Sequence, residues 1–223
     1  MLTVVMSILL VIVGYLLGSI PSAYVAGKWL KGVDLRWRGS GTVSGTGVYY
    51  HAARWAVVPV GLFDIAKASL STWVGLRLGL GLPIALAAGL AAVIGHDWPL
   101  YLRFKGGRGI SPFIGVSLVV FPWGFPWLLA FLAIGRVLNY TAVVALLGIG
   151  SLPLLTWWLG KPPAVTWACV GMVLLTVIKR LEANRLPLPP PGPERRRVLL
   201  RRLLLDRDTR ARDAWVHRGF LGG

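Results

Sequence analysis

The sequence predicts an all-α, polytopic membrane protein of about seven transmembrane helices, some short or broken, gathered around a site at one membrane face. Three observations predict it. Of 223 residues, 56% are hydrophobic and only 14% charged, and the mean hydropathy of +0.68 lies outside the range of soluble globular domains. Nearly charge-free stretches recur and approach the ~20 residues needed to cross the hydrocarbon of a bilayer. The basic residues collect in alternate connecting segments.

The first crossing is expected over residues 3–26. It runs into polar sequence with no small-residue cleavage signal, and so reads as a retained helix rather than a signal peptide. Further crossings are expected over 55–77, 82–101, 109–122, 124–138, 140–159 and 163–179. Short or Gly- and Pro-interrupted helices are tolerated where neighbours or a water-filled cavity satisfy the freed backbone groups.

The connectors then fix the expected topology. Lys28, Lys31, Arg36, Arg38 and Arg54 follow the first crossing; Arg103, Lys105 and Arg108 follow the third; Arg136 follows the fifth; Lys179, Arg180 and ten more arginines follow the last, whereas the intervening segments hold only Arg77 and Lys161. Because cytoplasmic loops are rich in Lys and Arg, a multi-pass plasma-membrane protein is expected, with its N-terminus outside and its C-terminus and polar motifs in the cytoplasm. Half of the 24 Lys and Arg lie after residue 178, so the net charge of +16 points to an anionic leaflet and membrane lipids, not to nucleic acid. Cys169 is the sole cysteine and sits in an apolar run. That excludes internal disulfides and Cys-rich metal sites, and core packing is its expected role. No metal and no cofactor are expected, and the oligomeric state is not legible.

Two domains are expected, an integral membrane domain over 1–186 and a Pro-rich spacer with a basic amphipathic cytoplasmic tail over 187–223. The prolines favour extended polyproline II geometry. Val198, Leu199, Leu200 and Leu203 to Leu205 form an apolar stripe opposed by arginines, as in a helix lying on anionic lipid; a solvated tail is the alternative.

Polarity is concentrated in two connectors. The stretch "GHDWPLYLRFKGGRGIS" (95–111) contains Phe104-Lys105-Gly106-Gly107-Arg108-Gly109, whose glycines let backbone N–H groups point one way ahead of a helix, an anion cradle. Lys105 supplies a point charge and Arg108 a planar fork, both suited to phosphate oxygens. A P-loop is excluded by its spacing, and a cation-anchored helix connection is the alternative. The second stretch, "DLRWRGSGTVSGTGVYY" (34–50), offers close backbone approach at its glycines and the hydroxyls of Ser40, Thr42, Ser44 and Thr46. A plain small-residue loop is the alternative there. Asp64 and Lys67, three apart on one helix face, are expected to pair because unpaired charge in a membrane is costly.

With "GSIPSAYVAGK" (18–28) and "LFDIAKA" (62–68), these blocks resemble, in order and spacing over roughly residues 14–185, the bacterial PlsY-type acyl-phosphate:glycerol-3-phosphate acyltransferases. The 95–109 block matches G-H-x-x-P-x-x-x-x-F-K-G-G-[KR]-G throughout. The resemblance implies a seven-helix fold and transfer of a fatty acyl group from acyl phosphate to the sn-1 hydroxyl of glycerol 3-phosphate, giving lysophosphatidic acid for phospholipid biosynthesis. It implies Ser40 and Lys105 as catalytic. It assigns Gly39, Gly41, Thr42, Ser44, Thr46, Arg54, His96, Gly106, Gly107, Arg108, Gly109, Arg180 and Asn184 to substrate binding; for His96, hydrogen bonding to a loop carbonyl is the competing role.

This chain departs from the family pattern G-S-G-N-x-G-A-T-N-x-x-R over residues 39–50. Both asparagines and the final arginine are lost, and Arg54 follows about a turn later as a replacement. In "KRLEANRLP" the family histidine aligns with Arg180, the glutamate with Glu182, and the asparagine is displaced to Asn184. An acyl phosphate is already activated, so position and charge neutralisation would supply most of the acceleration. A noncatalytic lipid-binding scaffold with decayed motifs is the alternative, and a transporter the third reading.

Overall fold

The structure, a computed structural model, describes residues 1–39 and 41–210. Its described residues form ten α-helices joined by short 3-10 turns, with no strand among them: α1 (Leu2–Gly18), α2 (Ser22–Lys31), α3 (Gly45–His51), α4 (Val57–Arg77), α5 (Leu82–Asp97), α6 (Ile110–Val120), α7 (Gly124–Val137), α8 (Thr141–Trp158), α9 (Pro163–Glu182) and α10 (Pro193–Leu205). Five stretches have the length and composition of a bilayer span: Leu2–Lys31, Arg54–Arg77, Leu82–Leu102, Thr141–Trp158 and Pro163–Glu182.

Three expected crossings stand apart, the first by its form and the fourth and fifth by their length. The first is broken, since α1 ends at Gly18 and α2 restarts after Pro21, which has no N–H to donate and disfavours helix at Ile20. The fourth and fifth are short: α6 has 11 residues and α7 has 14, about 16 and 21 Å at 1.5 Å per residue, against ~30 Å of hydrocarbon. They are apolar helices of less than spanning length.

Packing follows side-chain size. α1 lies against α5 so closely that a Cβ on Gly14 or Gly18 would strike the backbone of Ala88 or Ala92, the small-residue contact that lets membrane helices approach. Around α5, the apolar core joins Ala68, Leu86, Val93, Phe113, Ile114 and Met172 from α4, α5, α6 and α9. A second, smaller core under the first connector holds Ala23, Leu35, Val43, Val48 and Leu102.

The helix ends sort into two levels. Tyr15 Oη donates to Trp98 O (2.9 Å), Asn184 reaches Gly41 and Gly106, and Arg180 reaches Ala142. The end of α1, both glycine-rich connectors, the start of α8 and the end of α9 therefore share one level, where the basic connectors also lie. At the other end, Arg77 stacks on Trp73 and Lys161 on Phe121. Exposed Trp123, Trp157, Trp158 and Trp167 sit there as an interfacial aromatic belt.

Candidate active site

The two glycine-rich connectors meet. Val43 N donates to Gly106 O (3.0 Å), and the Asn184 amide donates to both Gly41 O (2.7 Å) and Gly106 O (3.1 Å). One asparagine from the end of α9 thus ties together loops more than sixty residues apart. Its Oδ1 is buried with no hydrogen-bond partner among the described residues.

The first connector is stiffened from within. Asp34 accepts from Arg36 N (3.0 Å) and pairs with its guanidinium (2.7 Å), while Arg36 stacks over Tyr24. Burial alone would raise the Asp34 carboxyl; the Arg36 side chain, its backbone N–H and its charge outweigh that and hold it below the ordinary carboxylate range. Trp37, next in the chain, places its indole under the Lys105 ammonium, 5.1 Å from ring centroid to nitrogen, a cation–π contact. Gly39 and Gly41 flank Ser40 with φ of 59° and 69°, a conformation that favours glycine. Ser40 itself lies outside the described residues.

The second connector is built on His96. Gly107 N donates to His96 O (3.0 Å), and a Cβ on Gly107 would collide with the imidazole. The ring is the floor of the loop, and only glycine fits above it. Behind the ring, His96 Nδ1 is 3.3 Å from Lys67 Nζ and 3.5 Å from Asp64 Oδ1. Lys67 donates to Gly18 O (2.7 Å) and Ile20 O (3.1 Å) and pairs with Asp64 (2.8 Å), which also accepts from Ser22 Oγ (2.8 Å). Three oxygen acceptors saturate the three N–H groups of the ammonium, which leaves His96 Nδ1 to donate toward Asp64. The pairing of Asp64 with Lys67 matches the expectation, and its added work is to lock the α1–α2 break against α4. A small cleft of about 10 Å³, room for roughly one water molecule, opens between Ser22, Val43, His96, Pro99, Leu102 and Gly106.

The other expected residues divide. Gly39, Gly41, Thr42, Lys105, Gly106, Gly107, Arg108 and Gly109 lie in the two joined loops, with Thr42 buried and Gly109 (φ 70°) capping α6. Ser44 is the N-cap of α3 and Thr46 is exposed within that helix. Arg54 is exposed and stacks over Tyr49 (5.4 Å). Arg180 donates to Ala142 O and Leu203 O, both at 2.8 Å, so the residue aligned with the family histidine is a staple between α8, α9 and α10. Arg108 donates to Lys179 O (2.8 Å) and pairs with Asp206 (2.8 Å).

Three contributors were given no role in the sequence reading, although Glu182 was aligned there with the family glutamate. Asp97 is fully buried, with neither carboxylate oxygen hydrogen-bonded among the described residues, and the charges of His96, Lys179, Arg108 and Lys67 act on it. The motif G-H-x-x-P treats its position as free, which hid it; an ionisable residue between an apolar helix and a basic loop was the available signal. Glu182 bridges Trp98 Nε1 (2.7 Å) and Lys179 Nζ (3.2 Å). Trp37 had no signal beyond being aromatic. Among the described residues, the non-glycine positions at positive φ are Arg103, Phe104, Asn139, Ala183, Asn184 and Asp206, and all but Asn139 belong to segments that meet here. Such backbone strain gathers where surrounding structure over-determines a functional geometry.

Among known proteins, the family described as glycerol-3-phosphate acyltransferase matches residues 8–186. Glycerol-3-phosphate acyltransferase 4 of Dehalococcoides mccartyi (strain CBDB1) is 33% identical over 222 residues, covering 92% of this chain and 90% of the relative. Glycerol-3-phosphate acyltransferase of Synechococcus sp. (strain CC9902) is 37% identical over 172 residues, covering 75% and 86%. The crystal structure of PlsY (YgiH), an integral membrane glycerol 3-phosphate acyltransferase, in its glycerol 3-phosphate form superposes with a TM-score of 0.75 at 29% identity, covering 92% of this chain and 95% of that one. Its lysophosphatidic acid form gives 0.73 at 28% identity.

Proposed function

This chain belongs to the glycerol-3-phosphate acyltransferase family, and from that premise we propose that its two joined connectors seat the phosphates of donor and acceptor side by side around Ser40. The protein is an integral membrane enzyme of phospholipid synthesis that acylates glycerol 3-phosphate to lysophosphatidic acid. Our reading of how it does so rests on one observation, the hydrogen bonding of Gly41 and Val43 to Gly106 and Asn184.

The donor in this reading is an acyl phosphate whose acyl chain lies in lipid along the helices. Its phosphate and that of glycerol 3-phosphate bind to the Lys105 ammonium, the Arg108 fork and the N–H groups of Gly106 and Gly109. The acceptor hydroxyl attacks the carbonyl carbon; the new ester C–O bond forms, the carbonyl–phosphate bond breaks, and inorganic phosphate departs. The hydroxyl proton passes to a phosphate oxygen, so no side-chain base is required. Ser40 orients the reacting oxygen, and Lys105 neutralises charge as it builds on the leaving phosphate. The site faces the cytoplasm, with the N-terminus outside and the C-terminus inside, because the basic connectors lie at its level. Residues 1–186 form the membrane domain and 187–223 the tail, whose exposed Arg196, Arg197, Leu200 and Leu204 suit anionic lipid.

The test is lysophosphatidic acid formation by purified protein given acyl phosphate and labelled glycerol 3-phosphate. Wild type should turn over, and Ser40→Ala and Lys105→Ala should each lose on the order of 100-fold or more. Equal product from all three would remove these residues from the site.

A further inference from the structure

We infer that Asp206, beyond the residues matched by the family, is a positioning residue for the Arg108 guanidinium, and that α10 is fastened to the membrane domain to deliver it. The inference rests on the reading of Arg108 as a phosphate ligand. Arg108 is held in two ways: Nη1 donates to Lys179 O (2.8 Å), and Nε lies 2.8 Å from Asp206 Oδ1 as an ion pair without hydrogen-bond alignment. The hydrogen bond anchors one end of the planar fork and the carboxylate charge holds the other beside it, which restricts the directions in which the remaining N–H groups point.

The fastening of α10 is built from two buried arginines, one from each side. Arg202, 1% exposed, reaches back from α10 to Leu181 O (3.2 Å), Leu186 O (3.1 Å) and Pro187 O (3.1 Å). Arg180 reaches forward from α9 to Leu203 O (2.8 Å) while holding Ala142 O (2.8 Å). Together they pin the C-terminal half of α10 at the level of the site. There the helix ends on Asp206 at φ 55° and ψ 33°, a left-handed conformation that aspartate tolerates better than most residues; the turn leaves its carboxylate on Arg108. The helix is otherwise rich in arginine: Asp208 pairs with Arg202 (2.6 Å) and Asp206 with Arg108, so both acidic groups serve the docked arrangement.

This also accounts for the departure at position 180. A neutral histidine there could not donate at once to α8 and to α10, since a guanidinium carries five N–H groups in a fork and a neutral imidazole only one. The replacement and the tail belong to one device.

The test uses the full chain in nanodiscs, varying both substrates and recording thermal stability in parallel. Asp206→Asn keeps shape and removes charge; we expect the KM for one phosphate substrate to rise roughly fivefold to tenfold, with kcat changed less than about twofold. Asp206→Glu should restore most of the affinity. Arg202→Gln, which touches no part of the site, should raise the same KM. In an Arg108→Ala background, Asp206→Asn should add nothing. If Arg108→Ala leaves both KM values unchanged, the reading of Arg108 fails and this inference with it. If Arg108→Ala raises KM while Asp206→Asn leaves it unchanged or lowers it, the phosphate reading survives and the positioning role of Asp206 is overturned.

Discussion

Adding one methyl group at Gly106 should disable the enzyme while barely touching its fold. A Cβ there would meet His96 O, Asp97 O and Pro99 Cδ. Two of these are backbone atoms at the end of α5, held in turn by α1 and α9 through Trp98 and its neighbours, so the loop must move rather than the helix. When it moves, Gly106 O abandons Val43 N and the Asn184 amide. Two hydrogen bonds at about 1 kcal/mol each make ~2 kcal/mol, or roughly 30-fold in an equilibrium, and an ångström-scale misplacement of positioned groups costs about 100-fold in rate. The expected loss in kcat/KM for lysophosphatidic acid formation therefore lies between about 30-fold and 100-fold.

The comparison needs controls in which the same methyl meets nothing. Gly61 in α4 and Gly150 in α8 have open space where a Cβ would stand. Alanine suits a helix interior better than glycine, so Gly61→Ala and Gly150→Ala should keep full turnover at an equal or higher Tm. Gly106→Ala with wild-type kcat/KM and unchanged Tm would show that the meeting of the two connectors is irrelevant to catalysis. Equal losses at Gly61 would show that the assay reads general stability.

Further expectations concern the supports of the site. Lys67→Met strips Asp64 of its ammonium partner and Gly18 and Ile20 of their donor; breaking a buried pair costs about 3 to 5 kcal/mol, seen as a large fall in Tm, and Asp64→Leu in the same chain should recover part of it, whereas a double variant no better than Lys67→Met refutes the pairing. Trp37→Leu removes the aromatic face under Lys105, worth about 0.5 to 2 kcal/mol, and should raise a substrate KM by roughly two- to thirtyfold; Trp37→Phe should retain most of the affinity, and equal KM values for Leu and Phe would deny the cation–π contact. The Asp34 carboxyl, lowered in the folded protein by Arg36, contributes stability that is complete above its ordinary 3.8 and fades as pH falls through the lower folded value; Asp34→Asn should flatten the acid limb of a Tm–pH curve, and identical limbs would refute the contribution.

The sequence carried most of the fold because a bilayer demands composition as well as pattern. Long charge-free runs had to be spans, and the cations had to gather at one level, so α4, α5, α8 and α9 were found close to their ends. The α1–α2 break was harder to see. Pro21 lies inside an apolar stretch, and the signal that splits it, Lys67 bonding the freed Gly18 and Ile20 carbonyls, comes from another helix. The shortness of α6 and α7 was legible, since Gly and Pro already confined the expected spans to 109–122 and 124–138. The glycines and cations of residues 104–109 stood out because they are contiguous in sequence, and the structure joins their loop to the first connector. Asp97, Trp37 and Asp206 did not, because each acts on a residue that only folding brings near and none repeats with a period. The tail was read as a lipid-facing stripe from Val198, its leucines and the arginines opposite them, with a solvated tail as the alternative. That reading weighed Arg202 as surface charge, whereas a buried arginine with three carbonyl acceptors organises the docked helix.

The changes in the family pattern gain their meaning in space. Residues 39–50 lack the two asparagines and the arginine that the resemblance leads one to expect, and read in line this is a loss of polar donors from the first connector. Yet an asparagine amide stands between that connector and the second. Asn184, held at φ 53° and ψ 38° by the turn that ends α9, donates to Gly41 O and Gly106 O across sequence separations of 143 and 78 residues. A donor fixed to the rigid end of a spanning helix holds both loops with less conformational freedom than a donor carried on either loop. The shape of the site depends on which element supplies each donor, and here the donor that joins the two connectors stands at the end of α9.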